Sequence, residues 1–398
     1  MPRRQLPLIQ SVFVKKLRPQ LKELYSSAVI FNFALAAVNI FEPIFLYGIF
    51  AHLYHPREAL AAVLWFYVLV YVLYFFIVPL GAKLALRIGY ERTMSLGSLL
   101  TIGFYITLFA ASTQPLLIAV AAVVYAVSKT LYWPAYHADF ARYSRDGQQG
   151  REISNLMLLL SVVQIVGPLL GGVLIKFYGF SFLFFAASFV ALLSMVPMLV
   201  TGERFKASYF SYFDSYRRLL SPDNRRRVIA YFGFGEELLA MVVWPIYIFI
   251  VIKDFAGVGL LVALSVLATT LTLLYVGRAA DMTRGAILRY GTALYIISWL
   301  LRTLTRGVLG VFAVDLFGRV AKEAISIPLT ALTYERAQDT SVMKTVLLFE
   351  MSLVAGKILA AVLALGILAM TDAGWWQIFL LGAAFTALYG YFLPRIQR

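Results

Sequence analysis

The stretch Gly81-Ala82-Lys83-Leu84-Ala85-Leu86-Arg87 recurs in altered form as Tyr275-Val276-Gly277-Arg278-Ala279-Ala280-Asp281, 195 residues later when Ala82 is aligned with Gly277. The first copy follows the second apolar stretch of the chain, and the second copy follows the eighth. Two other pairs recur at similar offsets: Glu42-Pro43-Ile44 with Trp244-Pro245-Ile246, 202 residues later, and Pro134 with Pro328, 194 residues later. Three matches in the same order indicate a duplicated architecture, and we therefore predict two related halves.

The apolar stretches are long enough to cross a membrane, which takes about 20 residues in a helix. Twelve of them are present, at residues 27–51, 60–84, 93–113, 115–137, 154–175, 179–201, 228–252, 257–277, 287–305, 307–331, 343–370 and 374–394. We predict an all-α integral membrane protein of 12 transmembrane helices. Its expected parts are a cytoplasmic amphipathic segment (1–26), a six-helix bundle (27–201), a cytoplasmic linker (202–227) and a second six-helix bundle (228–398).

Composition supports a membrane protein and excludes several soluble classes. Of the 398 residues, 61% are hydrophobic and 14% charged, whereas soluble proteins carry about 25% charged residues. The chain has no cysteine, so disulfides, thiolate metal sites and cysteine nucleophiles are excluded. We expect no cofactor and no metal site, and no motif of an enzyme is present.

The charge of +15 reflects topology rather than nucleic-acid binding. If both termini are cytoplasmic, 26 of the 35 Lys and Arg residues lie on that side and about five on the other. This asymmetry is the positive-inside pattern of membrane proteins. We expect a multi-pass protein of the cell inner (plasma) membrane, a monomer that contacts lipid and binds no nucleic acid.

The loop after the second apolar stretch resembles a signature of the major facilitator superfamily. Leu84-Ala85-Leu86-Arg87-Ile88-Gly89, followed by Arg92, matches it in part, with Leu86 where the signature has Asp. The second-half copy keeps Gly277 and Asp281. The resemblance implies two pseudo-symmetric six-helix bundles, with helices 1, 4, 7 and 10 lining a central cavity. It also implies a gating role for Arg87, Gly89, Arg92, Gly277 and Asp281.

Predicted helix 5 carries Gly167-Pro168-Leu169-Leu170-Gly171-Gly172, which is similar to the end of that family's antiporter signature. Small residues also let membrane helices approach closely. The motif Gly167, Pro168, Gly171 and Gly172 therefore has two interpretations, close helix packing and an antiporter marker.

Charges inside predicted helices are costly, about 3 kcal/mol each at the bilayer centre. Helix 10 places Asp315, Arg319, Lys322 and Glu323 on one face. They could form a self-satisfied ion-pair ladder, or they could form a substrate or coupling site.

Three other helices carry acids and amides that suit proton coupling or ion pairing. Helix 1 places Asn32, Asn39 and Glu42 on one stripe, helix 7 has adjacent Glu236 and Glu237, and helix 11 has Glu350 and Lys357 on one face. Glu42 is either a proton-coupling acid or the partner of a facing Lys or Arg. We expect Lys357 to pair with an acid of helix 7 or 10.

Helix 4 places Lys129, Trp133 and Tyr136 at i, i+4 and i+7, and Gln164 lies on helix 5. The aromatic side chains could stack on a substrate or anchor the helix at the interface. Together with Asn32, Asn39, Arg319 and Lys322, these residues are our candidate cavity lining.

These features favour a secondary active transporter that moves a small solute by alternating access. Protons are the expected coupling ion, and export of amphiphilic, drug-like compounds is slightly favoured. Alternatives are transport of an organic anion or a sugar-type solute, lipid flipping, and a scaffold that transports nothing. We expect the buried charges to border one watery chamber between the bundles.

Overall fold

The computed structural model of the protein describes residues 19–143, 149–200, 211–276, 284–339, 341–370 and 374–392. Helices make up these ranges almost entirely, and no β-strand occurs within them. The all-α fold predicted from the apolar pattern is therefore confirmed.

The first half contains six membrane helices. Helix α1 consists of two pieces because the chain turns at Asn39 and Ile40, and α5 and α6 form one run that bends at Gly179, where φ is 78°. The bounds are α1 Pro19–Val38 and Phe41–Ala51, α2 Pro56–Ile88, α3 Tyr90–Ala110, α4 Leu117–Tyr143, and Gln149–Leu193 for α5 (149–178) with α6 (180–193), followed by Val196–Val200.

The second half follows a linker helix, Tyr212–Leu220, and a 3-10 turn, Pro222–Asn224. Helix α7 contains a π-helical turn at Leu239–Val243. The bounds are α7 Arg225–Phe232, Gly235–Leu238 and Trp244–Ile252, α8 Phe255–Val276, α9 Arg284–Leu304, α10 Gly307–Asp339, α11 Val342–Met370, and α12 Trp375–Ala387 with a 3-10 end at Leu388–Phe392.

Eight helical stretches in the described residues are long and apolar enough to span a membrane, and one of them, Leu158–Met198, covers both α5 and α6. Helices α9 and α10 fall short because they carry charged residues, and the α-helical part of α12 has only 13 residues. Apolar length within the described residues therefore accounts for nine of the twelve predicted membrane helices, because one stretch covers two of them.

Glycines of the helix 5 motif are used for close packing. A Cβ atom at Gly167 or Gly171 would overlap Ala36 or Ala37 of α1, inside the first half. A Cβ at Gly172 would overlap the carbonyl oxygen of Phe255 in α8, in the other half. The motif therefore brings α5 into backbone contact with both α1 and α8.

The halves meet along pairs of helices, chiefly α5 with α8 and α2 with α11. We call the side that carries the linker the linker face. At the opposite face, Lys176 and Asp254 form an ion pair at 3.2 Å across the halves. The pKa of Asp254 lies below its ordinary value because its carboxylate accepts the backbone N–H of Gly257 and a hydrogen bond from Lys176.

The gating loop predicted at the linker face has a tight turn. Gly89 joins α2 to α3 with φ at 109°, a conformation that suits glycine. Arg87 and Arg92 flank it and are exposed. Gly277 and Asp281, the predicted partners from the second half, lie outside the described residues.

Candidate functional site: a tyrosine stripe between charged helices

Three buried tyrosines of α2 lie at the centre of the site. Tyr67, Tyr71 and Tyr74 occupy positions i, i+4 and i+7, so they share one helix face. We call them the tyrosine stripe. Each contacts a charged residue from another helix, and together they connect both halves of the molecule.

At one end of the stripe, the Tyr67 hydroxyl donates a hydrogen bond of 2.9 Å to Glu42 of α1. Glu42 is only 3% exposed, and no ion pair involves it among the described residues. Glu42 follows the turn at Asn39, and the Asn39 side chain is half-buried. The Asn32 side-chain amide donates a hydrogen bond of 2.8 Å to the Ala28 carbonyl of its own helix. One of its polar groups therefore already has a partner within α1.

At the middle of the stripe, two lysines approach the Tyr71 ring. The ammonium group of Lys129 lies 5.8 Å from its centroid, and that of Lys357 lies 5.4 Å away. Lys129 also lies 4.4 Å from the Tyr125 ring. Within the part of the chain that the structure describes, Lys129 forms no ion pair, although Glu42 and Glu237 are near enough to interact electrostatically.

Lys357 does have an acidic partner. Its ammonium group lies 2.6 Å from the carboxylate of Glu237, which is 30% exposed. This pair joins α11 to α7, as the sequence predicted.

At the other end of the stripe, Glu350 joins the two halves. It accepts a hydrogen bond of 2.7 Å from the Tyr74 hydroxyl, and its second oxygen lies 3.3 Å from His137 of α4. One carboxylate of the second half thus holds two residues of the first.

A separate cluster surrounds Glu236, which is completely buried. It pairs with Lys322 of α10 and accepts hydrogen bonds from the Tyr295 hydroxyl at 2.6 Å and the Tyr389 hydroxyl at 3.0 Å. Lys322 also donates to the Tyr389 hydroxyl at 2.9 Å. Adjacent Glu236 and Glu237 therefore face different surroundings, and only Glu237 is open to water.

A third group lies around Asp315. It accepts bonds from the Arg319 guanidinium at 2.7 Å and from the Trp244 indole at 2.9 Å. Arg302 lies between two indole rings, 3.9 Å from that of Trp299 and 4.6 Å from that of Trp244. Arg302 is buried, and its Nε and Nη1 atoms have no hydrogen-bond partner within the described residues.

Comparison with known proteins identifies the family. The family description "Major Facilitator Superfamily" matches residues 24–252, more than half of the chain. The chain belongs to the major facilitator superfamily. Among solved structures, the human organic anion transporter MFSD10 (TETRAN) is similar, with a TM-score of 0.67 and 16% identity over 94% of this chain and 99% of that chain. No curated protein sequence matches.

Family membership confirms the twelve-helix fold of two six-helix bundles and makes the chain a multi-pass membrane transporter. The exact bundle limits, 27–201 and 228–398, remain predictions. The helices that the family arranges around its cavity, α1, α4, α7 and α10, are those that carry Glu42, Lys129, Glu237 and Arg319.

The expectation of a single shared chamber needs correction. Glu42, Glu236 and Asp315 are each at most 3% exposed and are enclosed by aromatic residues. Lys129, Glu323 and Gln164 are half-buried, and the Arg319 side chain is 34% exposed. The three enclosed acids differ from the half-buried residues in their tyrosine and tryptophan neighbours. The rings cover each acid, and a ring hydroxyl or N–H donates a hydrogen bond to its carboxylate.

The helix 10 residues also divide. Asp315 and Arg319 form one pair, whereas Lys322 turns to Glu236 and away from that ladder. No hydrogen bond or ion pair to Glu323 occurs in the described ranges. Helix geometry accounts for the split, since Lys322 points about 60° around the helix from Arg319 and so faces Glu236 of α7.

The predicted aromatic residues of α4 differ in exposure. Trp133 is half-buried and its ring lies 5.9 Å from that of His137. Tyr136 is buried and stacks on Tyr132. Trp133 is therefore the more exposed of the two rings.

Sequence reasoning missed several residues of the site. The tyrosine stripe had a signal, its i, i+4, i+7 spacing. Arg302 lies in the last turn of α9, within the predicted stretch 287–305 and three residues after Trp299, but the sequence did not indicate that its guanidinium is buried. Tyr295 and Tyr389 had no signal in the sequence, because their role depends on Glu236 from another helix.

Proposed function

We propose that the protein is a proton-coupled secondary transporter of small organic anions, working by alternating access. The observation that carries this proposal is Lys129, a cation at mid-helix with no acidic partner in the described residues. A charge at that depth is costly, and a carboxylate on the substrate would offset it.

The surroundings of Lys129 support an anion with an apolar body. Two tyrosine rings lie beside its ammonium group, and a ring or aliphatic group of the substrate could pack on them. The similarity to a structure described as an organic anion transporter agrees with this choice.

Proton coupling is assigned to Glu42. It is buried beside Tyr67 and close to Lys129, so a proton on Glu42 and an anion on Lys129 would influence each other. Glu323, half-buried near Arg319 and Lys322, is a second candidate for this role.

The anion proposal is tested by measuring transport of a carboxylate and of its neutral amide analogue. We expect Lys129→Met to lower the preference for the carboxylate more than tenfold, which corresponds to about 1.4 kcal/mol. Lys83→Met, an exposed lysine on α2, is the matched control and should leave the preference unchanged. An unchanged preference in Lys129→Met contradicts the proposal.

The coupling proposal is tested in proteoliposomes with an imposed pH gradient. Glu42→Gln or Glu323→Gln should keep folding and solute exchange but abolish gradient-driven accumulation. If both variants still accumulate solute, neither Glu42 nor Glu323 carries the coupling proton.

A second candidate, export of amphiphilic compounds, is favoured by the half-buried Trp133 beside His137. Trp133→Ala should then weaken binding of an aromatic amphiphile while Tyr136→Phe, in the buried stack, should not. Accumulation by everted vesicles rather than by right-side-out vesicles would show the export direction.

The linker face is proposed to be cytoplasmic, in the inner (plasma) membrane, on the basis of its excess of Lys and Arg. The chain has no cysteine, so single cysteines report topology directly. An impermeant maleimide should label Ser112→Cys but not Asp223→Cys in right-side-out vesicles, and the reverse pattern would invert the topology.

A further inference from the structure

We propose that a groove between the linker helix and α7 binds an anionic phospholipid from the leaflet at the linker face. The groove has a volume of about 520 Å³. Its walls are the apolar side chains Leu219, Leu220, Val228 and Ile229, together with the turn at Ser221, and Arg225 stands at its rim. A lipid offers both an anionic headgroup and an acyl chain for such a lining.

The charge at this groove is positive and unbalanced. Arg217 and Arg225 are exposed, Arg227 is half-buried, and none of the three forms an ion pair in the part of the chain that the structure describes. Arg218, by contrast, is paired with Asp214 at 3.2 Å. Unpaired arginines beside a membrane segment attract anionic headgroups.

The apolar side chains next to the groove are open to the surroundings. Phe213 is 77% exposed and Leu220 is 82% exposed. With Arg217 between them they occupy positions i, i+4 and i+7 of the linker helix. A helix face of this composition lies in the interface of a bilayer, with the apolar groups among the acyl chains.

The linker helix is attached to both halves of the transporter. Its Tyr212 and Tyr216 hydroxyls donate to the Phe76 carbonyl of α2 at 3.0 and 3.3 Å. Tyr216 also lies 3.4 Å from the Phe75 carbonyl, which has no N–H partner within α2 because Pro79 lacks one. Asp214 lies 3.5 Å from Lys344 of α11. A lipid held against this helix would therefore stabilise the arrangement in which the ends of α2 and α11 are close.

The proposal commits to a lipid rather than a soluble anion. Most of the groove lining is apolar, which a free phosphate ion would leave exposed to water. An acyl chain covers that surface and contributes about 0.8 kcal/mol per buried CH₂ group.

The experiment measures binding of labelled phosphatidylglycerol to the full-length protein in phosphatidylcholine nanodiscs. We expect Arg225→Gln to weaken binding about fivefold, as loss of one juxtamembrane arginine should. Arg289→Gln, an exposed arginine of α9 that removes the same charge elsewhere, should have no effect. Val228→Trp, which fills the groove without changing charge, should weaken binding at least as much as Arg225→Gln.

Three results would overturn the proposal. Equal losses in Arg225→Gln and Arg289→Gln would mean that only net charge matters. Val228→Trp should first be shown to unfold at the same temperature as the unaltered protein in neutral lipid. Unchanged phosphatidylglycerol binding in that variant would then exclude the groove as the site. Competition by millimolar inorganic phosphate against phosphatidylglycerol would identify a soluble-anion site instead.

Discussion

The two halves of the transporter treat their mid-membrane charges differently. In the second half, each of three acids has a basic partner. Glu236 pairs with Lys322, Glu237 pairs with Lys357 at 2.6 Å, and Asp315 pairs with Arg319 at 2.7 Å. In the first half, Glu42 and Lys129 form no ion pair within the described residues, and both rely on tyrosines. Paired charges fix helices to one another, whereas unpaired ones are available to a proton or a ligand. Under the proposed function, the proton and anion groups would therefore lie chiefly in the first half, and Glu323 is the exception in the second half.

The largest expected effect separates Lys322 from Lys129. Lys322→Met leaves the completely buried Glu236 without its cation, and we expect a loss of about 3–5 kcal/mol in unfolding free energy. Lys129→Met removes a cation that has no acidic partner, and the expected change is below about 1 kcal/mol. Denaturant unfolding of both variants in detergent measures the difference.

The double variant Glu236→Gln with Lys322→Met is the control for this prediction. It removes both charges, so it should recover much of the stability lost in Lys322→Met. Equal losses in the two single lysine variants would show that the halves do not differ.

A smaller effect is expected at the tryptophan pair around Arg302. A desolvated cation on an indole ring contributes about 2 kcal/mol, and lysine cannot stack its charge between two rings as a planar guanidinium does. Arg302→Lys should therefore destabilise the protein by about 2 kcal/mol. Arg319→Lys, at a side chain that is 34% exposed, should cost less than about 1 kcal/mol, and a reversed order would contradict the stacking argument.

Much of the fold followed from the sequence because apolar length and Gly or Pro breaks are local signals. The bend between α5 and α6 falls at Gly179, where the sequence placed a boundary, and the ends of α2 and α8 lie within a few residues of prediction. The pairing of Lys357 with an acid of helix 7 or 10 was also predicted, since a lysine at that depth needs a partner, and the structure gives Glu237 of α7.

The rest depended on three-dimensional contacts that no local pattern records. Glu236 and Glu237 are adjacent, and only packing of α9 and α12 decides that the first is enclosed. Arg302 lies near the end of predicted helix 9, and only the packing of Trp244 from α7 decides that its guanidinium is covered. Helical periodicity gives the face of a residue, but the neighbour that fills that face comes from another helix.

Within the tyrosine stripe, a bond inside one half can be compared with a bond between halves. Tyr67→Phe removes a hydrogen bond within the first half, and Tyr74→Phe removes one to Glu350 of the second half. Each loss is worth about 1 kcal/mol. Tyr74→Phe should shift the population of open and closed conformers about fivefold, measured by maleimide labelling of a cysteine at the linker face. Tyr67→Phe should leave that labelling unchanged, and an equal shift in both would mean that the Tyr74 hydrogen bond does not hold the two halves together.

The smallest effect is expected where the halves meet at the opposite face, at Lys176 and Asp254. The side chains are 49% and 41% exposed, so water and salt screen the pair. The pKa of Asp254 is lowered by the Gly257 N–H and by Lys176, so its stabilising contribution is present above the ordinary pKa of aspartate. That contribution is lost only as pH falls through the lowered value, well below pH 5. Asp254→Asn should therefore leave the pH profile of transport between pH 5 and 8 unchanged, while Glu42→Gln flattens it. A profile altered by Asp254→Asn in that range would place pH sensitivity at the contact between the halves rather than within the first half.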